Sequence, residues 1–169
     1  MKTSFTELAE PYELTPDKVI LEKLQLLDLK DGETLIDLGC GDARNLIAAA
    51  KLANIKCIGY ELFSKAIKSA TVNIQKESMS DRIEIIEDDF LNADLSKANA
   101  LILYLTRFSL GQLSLKLEKE LPVGARIVTH DFNIPAWEAE KVIKISIAPL
   151  FAKAIRRIHE ESSVSVLFG

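Results

Sequence analysis

The sequence predicts an α/β fold, a mostly parallel sheet with helices on both faces. Three observations predict it. Short β-branched and aliphatic runs alternate along the chain with segments whose apolar residues fall at helical spacing. Ala100 to Leu105 is almost wholly apolar, as expected of a central strand covered on both faces. Leu35 to Asn45 (Leu-Ile-Asp-Leu-Gly-Cys-Gly-Asp-Ala-Arg-Asn) runs from a strand through a tight glycine turn into a helix. Glycines at 39 and 41 let the backbone turn sharply and approach a ligand where a Cβ would collide. The following helix would present free N–H groups and a partial positive charge over that turn.

Met1 to Leu14 is polar and weakly patterned, an N-terminal arm that is flexible or closes over a ligand. Thr15-Pro16-Asp17 is a helix start, with a capping hydroxyl, proline at the first helical position and an acid in the first turn. Ile20, Leu21, Leu24 and Leu27 give that helix its buried face, and Lys30-Asp31-Gly32 ends it. Thr34 to Leu38 is the first strand and Asn45 to Ala53 the helix after the turn. Lys56 to Glu61 is the second strand, and Phe63 to Lys76 is helical with Ile67, Ala70 and Ile74 on one side. Arg82 to Glu87 makes a third strand running into Asp88-Asp89-Phe90, and Ala100 to Leu105 a fourth. Leu110, Leu113, Leu117 and Leu121 mark a helix stopped by Pro122-Val-Gly124, and Ala125 to Thr129 is a fifth strand entering His130-Asp131-Phe132. Beyond Trp137, Lys141 to Ile147 is strand-like, Ala154 to Ile158 helix or strand, and Ser163 to Phe168 a strand. A closing antiparallel hairpin fits there. The whole is a Rossmann-like three-layer α/β/α sandwich, its sheet mostly parallel and seven-stranded with an antiparallel last strand.

The 169 residues suit one domain, residues 1–169. Hydrophobic residues make up 48% and charged ones 27%, a soluble globular profile, and the net charge of −4 gives no general attraction to nucleic acid. Two cysteines, Cys40 and Cys57, at expected buried positions fit a reducing cytoplasm better than a disulfide scaffold. No secretory signal and no membrane-length apolar run is seen, so a cytoplasmic domain without membrane attachment is expected. Two histidines and no Cys/His cluster argue against a dedicated zinc site.

Three ligands compete for the glycine turn. A phosphate-cradling P-loop needs a lysine that does not follow Gly41. A dinucleotide fold wants a third glycine where Arg44 stands. The third is S-adenosylmethionine, whose turn has the form acid-x-Gly-x-Gly, matched by Asp37-Leu38-Gly39-Cys40-Gly41. Asp37 suits a positively charged amino group, whereas it would repel a pyrophosphate. Glu61, ending the second strand, can accept both ribose hydroxyls. Asp89, after the third, can accept from the adenine N6 amino group, the Phe90 N–H can donate to an adenine ring nitrogen, and Leu62 or Ile86 can cover the ring. Each acid alone suits a solvated loop; three in register at successive strand ends do not. Ala43 stands where many such turns carry glycine; it is tolerable with helical dihedrals and costly at positive φ. The expectation is a slightly less open turn.

Pro11-Tyr12-x-x-Thr15-Pro16, Asp37-Leu-Gly-Cys-Gly-Asp42-x-Arg44, Gly124-Ala-Arg126-Ile-Val-Thr-His130-Asp-Phe132 and Trp137 together resemble the archaeal-type protein lysine methyltransferases. These are small class I, seven-β-strand enzymes with mitochondrial relatives in eukaryotes. The resemblance runs from about Pro11 to Ile145 and includes the Lys116 to Leu121 helix. The chain departs from it at Glu13-Leu14, where the family tends to have Val-Pro, and at Asp88, where glycine is usual. What the resemblance implies is methyl transfer from S-adenosylmethionine to lysine ε-amines of a protein substrate. A lysine with pKa near 10.4 is neutral in only about one molecule in a few thousand at pH 7, so a desolvated channel beside a cationic cofactor would raise the reactive fraction. Positioning would supply much of the rate, without a strong general base.

Tyr12, Tyr104, Thr106, His130, Phe132 and Trp137 are the candidate channel residues, with Tyr104, Thr106 and His130 nearest the reaction. An aromatic face there can stabilise a sulfonium or a lysine stem. Phe132 and Trp137 equally suit packing, His130 a hydrogen bond at a strand end, and Thr15 both a helix cap and closure over the cofactor's carboxylate. Enzymes that methylate adenine or glutamine amines carry Asn/Asp-Pro-Pro-Tyr after the fourth strand; Leu103-Tyr104-Leu105-Thr106 lacks the acceptor and both prolines, against a nucleic acid substrate. A small-molecule or RNA methyltransferase, or a non-catalytic S-adenosylmethionine-binding module, remains the alternative on the same fold.

Overall fold

Strands and helices alternate through residues 15–138, the part of the chain that the computed structural model describes. In order these are α1 (Asp17–Leu27), β1 (Thr34–Leu38), α2 (Arg44–Leu52), β2 (Lys56–Glu61), α3 (Ser64–Lys76), β3 (Ile83–Glu87), a 3-10 turn (Phe90–Asn92), β4 (Ala100–Leu103), α4 (Arg107–Glu120) and β5 (Arg126–Thr129). The five strands form one sheet in the order β3-β2-β1-β4-β5, and every pairing is parallel. The chain winds outward from β1 to β3 and then returns to the other side of β1. The order therefore reverses between β1 and β4, and the carboxyl ends of these strands flank the crevice where such sheets bind ligands.

Two apolar clusters follow from the alternation of side chains across the strands. Leu35, Cys57, Ile83, Ile102 and Val128 pack against Ile20, Leu24 and Leu27 of α1, Leu46 and Ala50 of α2, and Ala70 and Ile74 of α3. Ile36, Leu38, Leu101 and Leu103 face Leu110, Leu113 and Leu117 of α4. On that second face the connection from β3 to β4 carries no α-helix, only the 3-10 turn, and it fills the space with Phe90, Ala93, Leu95 and Ala98. The result is a Rossmann-like sandwich of three layers.

Several boundaries shift by a residue from the sequence expectation, and three differences have a visible reason. Pro16, not Thr15, occupies the N-cap of α1; its φ of −62° is helical but its ψ of 144° is extended, and no side chain caps the helix. The β4 ladder stops at Leu103 because its partner β1 ends at Leu38, after which Gly39 turns away. Helix α4 begins ahead of its first expected apolar marker because the Thr106 hydroxyl accepts the Ser109 N–H and nucleates an earlier first turn. Tyr12, the arm at 1–14, and the elements expected at Lys141–Ile147, Ala154–Ile158 and Ser163–Phe168 lie outside the described residues. Among those described, no helix is long and apolar enough to cross a membrane.

A candidate cofactor site at the strand ends

The turn after β1 is built from three residues of positive φ, Gly39 (+77°), Gly41 (+57°) and Ala43 (+66°). Ala43 thus adopts the costly conformation. The strain is of order 1–2 kcal/mol, offset in part by complete burial of its methyl, about 0.8 kcal/mol. The first three amides of the turn, ahead of α2, are already bonded within the chain. The N–H groups of Gly39 and Cys40 both donate to the Tyr60 carbonyl, at 2.9 and 3.1 Å. The Gly41 N–H donates to Glu61 Oε2 at 2.9 Å. The Asp42 carboxylate lies at the start of α2, accepting from Arg44 Nε at 3.0 Å and Nη2 at 2.8 Å. A carboxylate of the chain itself therefore sits where a dinucleotide fold would receive a phosphate. Arg44, filling the place of the third glycine, also donates from Nη1 to the Thr15 carbonyl at 3.2 Å and ties the entry of α1 to the turn. Thr15 is buried there.

The three expected acids stand at the ends of β1, β2 and β3, which are neighbours in the sheet. Asp37 is 1% exposed and accepts from Asn45 Nδ2 at 2.9 Å. Burial pushes its carboxyl up to about 6, against the opposing pull of the Lys23 charge and the Asn45 hydrogen bond. Glu61 is buried, with Oε1 accepting the N–H groups of Leu62 and Phe63, each at 2.9 Å. Asp89 is less enclosed and caps the 3-10 turn, Oδ1 accepting the Leu91 N–H at 2.9 Å. Asp88, the departure from the family pattern, accepts the Asp89 N–H at 2.7 Å and Asn92 Nδ2 at 2.9 Å. It shapes the turn that presents Asp89. Leu62 and Ile86 are half-buried beside these acids in sequence, whereas the Phe90 ring is buried in the second apolar cluster.

Of the channel candidates, the structure brings Tyr104 and His130 together. Their rings stack with centroids 4.0 Å apart and planes at 30°. The register explains this: Tyr104 follows β4, His130 follows β5, and the His130 N–H donates to the Leu103 carbonyl at 2.9 Å. Thr106 holds the start of α4, and Phe132 and Trp137 lie exposed on the segment after β5, neither stacked on Tyr104.

The ANTKMT methyltransferase domain matches residues 37–141, the span from the acid of the glycine turn to just past Trp137. The chain belongs to this family. A protein-lysine N-methyltransferase of Saccharolobus islandicus (strain REY15A) is 38% identical over 136 residues, covering 80% of this chain and 84% of the relative. An adenine nucleotide translocase lysine N-methyltransferase of Mus musculus is 29% identical over 136 residues, 80% of this chain and 59% of its own length. Among solved structures, an RNA methyltransferase of Salinibacter ruber in complex with S-adenosyl-L-homocysteine superposes with a TM-score of 0.76 at 30% identity, covering 79% of this chain and 87% of that one.

The site of this methyltransferase fits the cofactor expected from its sequence. Asp37 and the Asn45 Oδ1, a buried acceptor with no partner among the described residues, offer acceptors to an ammonium, and two glycines leave the turn open to close approach. The Gly39, Cys40 and Gly41 amides are bonded within the chain and so are not offered to a pyrophosphate. Two polar residues escaped the sequence reading. Lys23 belongs to the buried stripe of α1 with Ile20, Leu24 and Leu27, and its Nζ lies 5.9 Å from the centre of the Tyr104 ring. A lysine at apolar spacing was the available signal. Asn45, in the first turn of α2, carried no signal beyond its place after the glycines.

Proposed function

We propose that the chain transfers the methyl group of S-adenosylmethionine to lysine ε-amines of proteins. The observation that carries the reading is the set of three acids, Asp37, Glu61 and Asp89, at the ends of adjacent strands around a turn whose Gly39, Cys40 and Gly41 amides are bonded within the chain. Asp37 takes the α-ammonium, Glu61 the ribose hydroxyls, and Asp89 the adenine amino group, with the Phe90 N–H on a ring nitrogen and Leu62 and Ile86 against the ring faces. Gly39, Cys40 and Gly41 give the turn its shape, and Thr15 closes one side. When bound, the cofactor supplies an electrophilic methyl on a sulfonium. Tyr104, stacked on His130, presents an aromatic face to that methyl and to the incoming lysine stem. A channel closed to water there would favour the neutral amine and align it with the sulfonium methyl. N–C bond formation and S–C cleavage would then release the neutral thioether, and the methylated ammonium would give its proton to solvent after leaving the channel. Thr106 fixes where Tyr104 leaves the sheet, and Tyr12, Phe132 and Trp137 form the rim that meets the substrate protein.

The lysine acceptor follows the relatives named for lysine methylation in Saccharolobus islandicus and mouse. The reading further includes a single domain over residues 1–169 with a 1–14 arm that is flexible or closes over the cofactor, a sheet completed to seven strands with the last antiparallel, and work in the cytoplasm. A second reading, RNA as acceptor, is favoured by the likeness to the Salinibacter ruber RNA methyltransferase. Incubation with methyl-labelled S-adenosylmethionine and a cell lysate separates them. Label recovered as methyl-lysine after protein hydrolysis is the expected result. Label confined to RNA or small molecules overturns the lysine assignment, and binding without transfer favours a non-catalytic module.

A further inference from the structure

Lys23 is 2% exposed, and among the described residues its Nζ has no hydrogen-bond partner. It projects from the packed face of α1, between Ile20 and Leu24, toward the carboxyl ends of β1 and β4. Asp37 and Asp131 are the acids whose charge acts on it, yet neither forms an ion pair with it. A buried ammonium with no hydrogen-bond or ion-pair partner, and only the Tyr104 ring 5.9 Å from it, is among the more costly features a fold can carry. Methionine or leucine would fill the stripe without that cost. Burial accordingly draws the lysine's pKa down, and Asp37 draws it back up.

A second buried atom beside Asp37 is also unmatched. Asn45 gives its Nδ2 to Asp37 Oδ2, and its Oδ1 accepts from none of the described residues. Around the end of β1 the chain therefore gathers two acceptors, the Asp37 carboxylate and Asn45 Oδ1, and one cationic donor, Lys23 Nζ. An α-amino acid zwitterion carries the complementary set, an ammonium and a carboxylate on neighbouring atoms. A nucleotide phosphate offers only the negative half.

We infer that Lys23 binds the α-carboxylate at the amino-acid end of the cofactor, while Asp37 and Asn45 hold the α-ammonium. The inference rests on the reading that this site holds S-adenosylmethionine, and it assigns the carboxylate's partner to a residue on α1. Docking of α1, held to the turn by Arg44 and Thr15, then contributes directly to cofactor affinity.

Calorimetric titration tests it with two probes, S-adenosylhomocysteine and decarboxylated S-adenosylmethionine, which lacks the carboxylate. Lys23→Met should weaken S-adenosylhomocysteine binding by about 10- to 100-fold, the usual range for loss of a charged hydrogen bond. It should leave the decarboxylated probe bound as tightly as before or more tightly. Lys23→Gln, more polar and similar in length, repeats the comparison should the methionine variant fail to fold. If either folded variant binds S-adenosylhomocysteine as the wild type does, or loses both probes equally, the assignment is overturned and Lys23 is structural or serves the acceptor. Failure of the wild type itself to bind S-adenosylhomocysteine overturns the cofactor reading along with it.

Discussion

The Glu61 carboxylate accepts the Gly41 N–H at 2.9 Å, so the end of β2 holds the turn that follows β1. Its other oxygen takes the N–H groups of Leu62 and Phe63. An acid suited to ribose is therefore also a structural bracket. Glu61→Ala strands three donors in a buried site and should cost about 2–4 kcal/mol in denaturant unfolding. Glu61→Gln keeps one carbonyl acceptor and should cost less than half as much. Equal stability of both variants and the wild type would show that the bracket contributes nothing.

Cys40 rests on Gly59 as closely as backbone allows. A Cβ at Gly59 would lie 2.5 Å from Cys40 Sγ, 2.9 Å from Cys40 Cβ and 2.9 Å from Ile85 Cδ1. Gly59→Ala should destabilise the protein by about 1–3 kcal/mol and displace the turn. Adding Cys40→Ala removes the worst contact and should restore part of the loss. Thermal unfolding of the two variants reads this directly.

Asp37 makes both stability and binding depend on pH. Its folded pKa of about 6 lies above the ordinary 3.8, so the folded state holds the proton more tightly than the unfolded chain. The stability this contributes is fully present below the unfolded value and is lost as pH rises through about 6. Asp28, Glu33, Glu77 and Asp94 are shifted downward and act in the opposite sense over the acid range. The comparison must therefore be with Asp37→Asn, against which the wild type should lose roughly 3 kcal/mol between about pH 4 and pH 7. Binding selects the ionised carboxylate, so affinity for S-adenosylhomocysteine should fall toward tenfold per unit below about pH 6 and level off above it. A flat affinity profile from about pH 5 to pH 8 contradicts the role given to Asp37.

The bounds of β1 and β2, and the places of Asp37 and Glu61 on them, were legible because strand alternation and glycine punctuation are local signals. What the sequence could not disclose is pairing across distance. Glu61 serves Gly41 from another strand, and Arg44 reaches back to Thr15. The bracing of the turn was hidden for the same reason: the Tyr60 carbonyl that takes the Gly39 and Cys40 amides lies on β2. Lys23 was hidden differently. Helical spacing put it in the apolar stripe, but a lysine there is ordinarily read as reaching past the stripe to solvent.

The central claim is that Asp37, Glu61 and Asp89 form one cofactor site, and binding by variants tests it most directly. Calorimetric titration with S-adenosylhomocysteine should show at least about tenfold weaker binding for Asp89→Ala and for Glu61→Gln, each still folded by circular dichroism. Wild-type affinity in both variants would contradict the site.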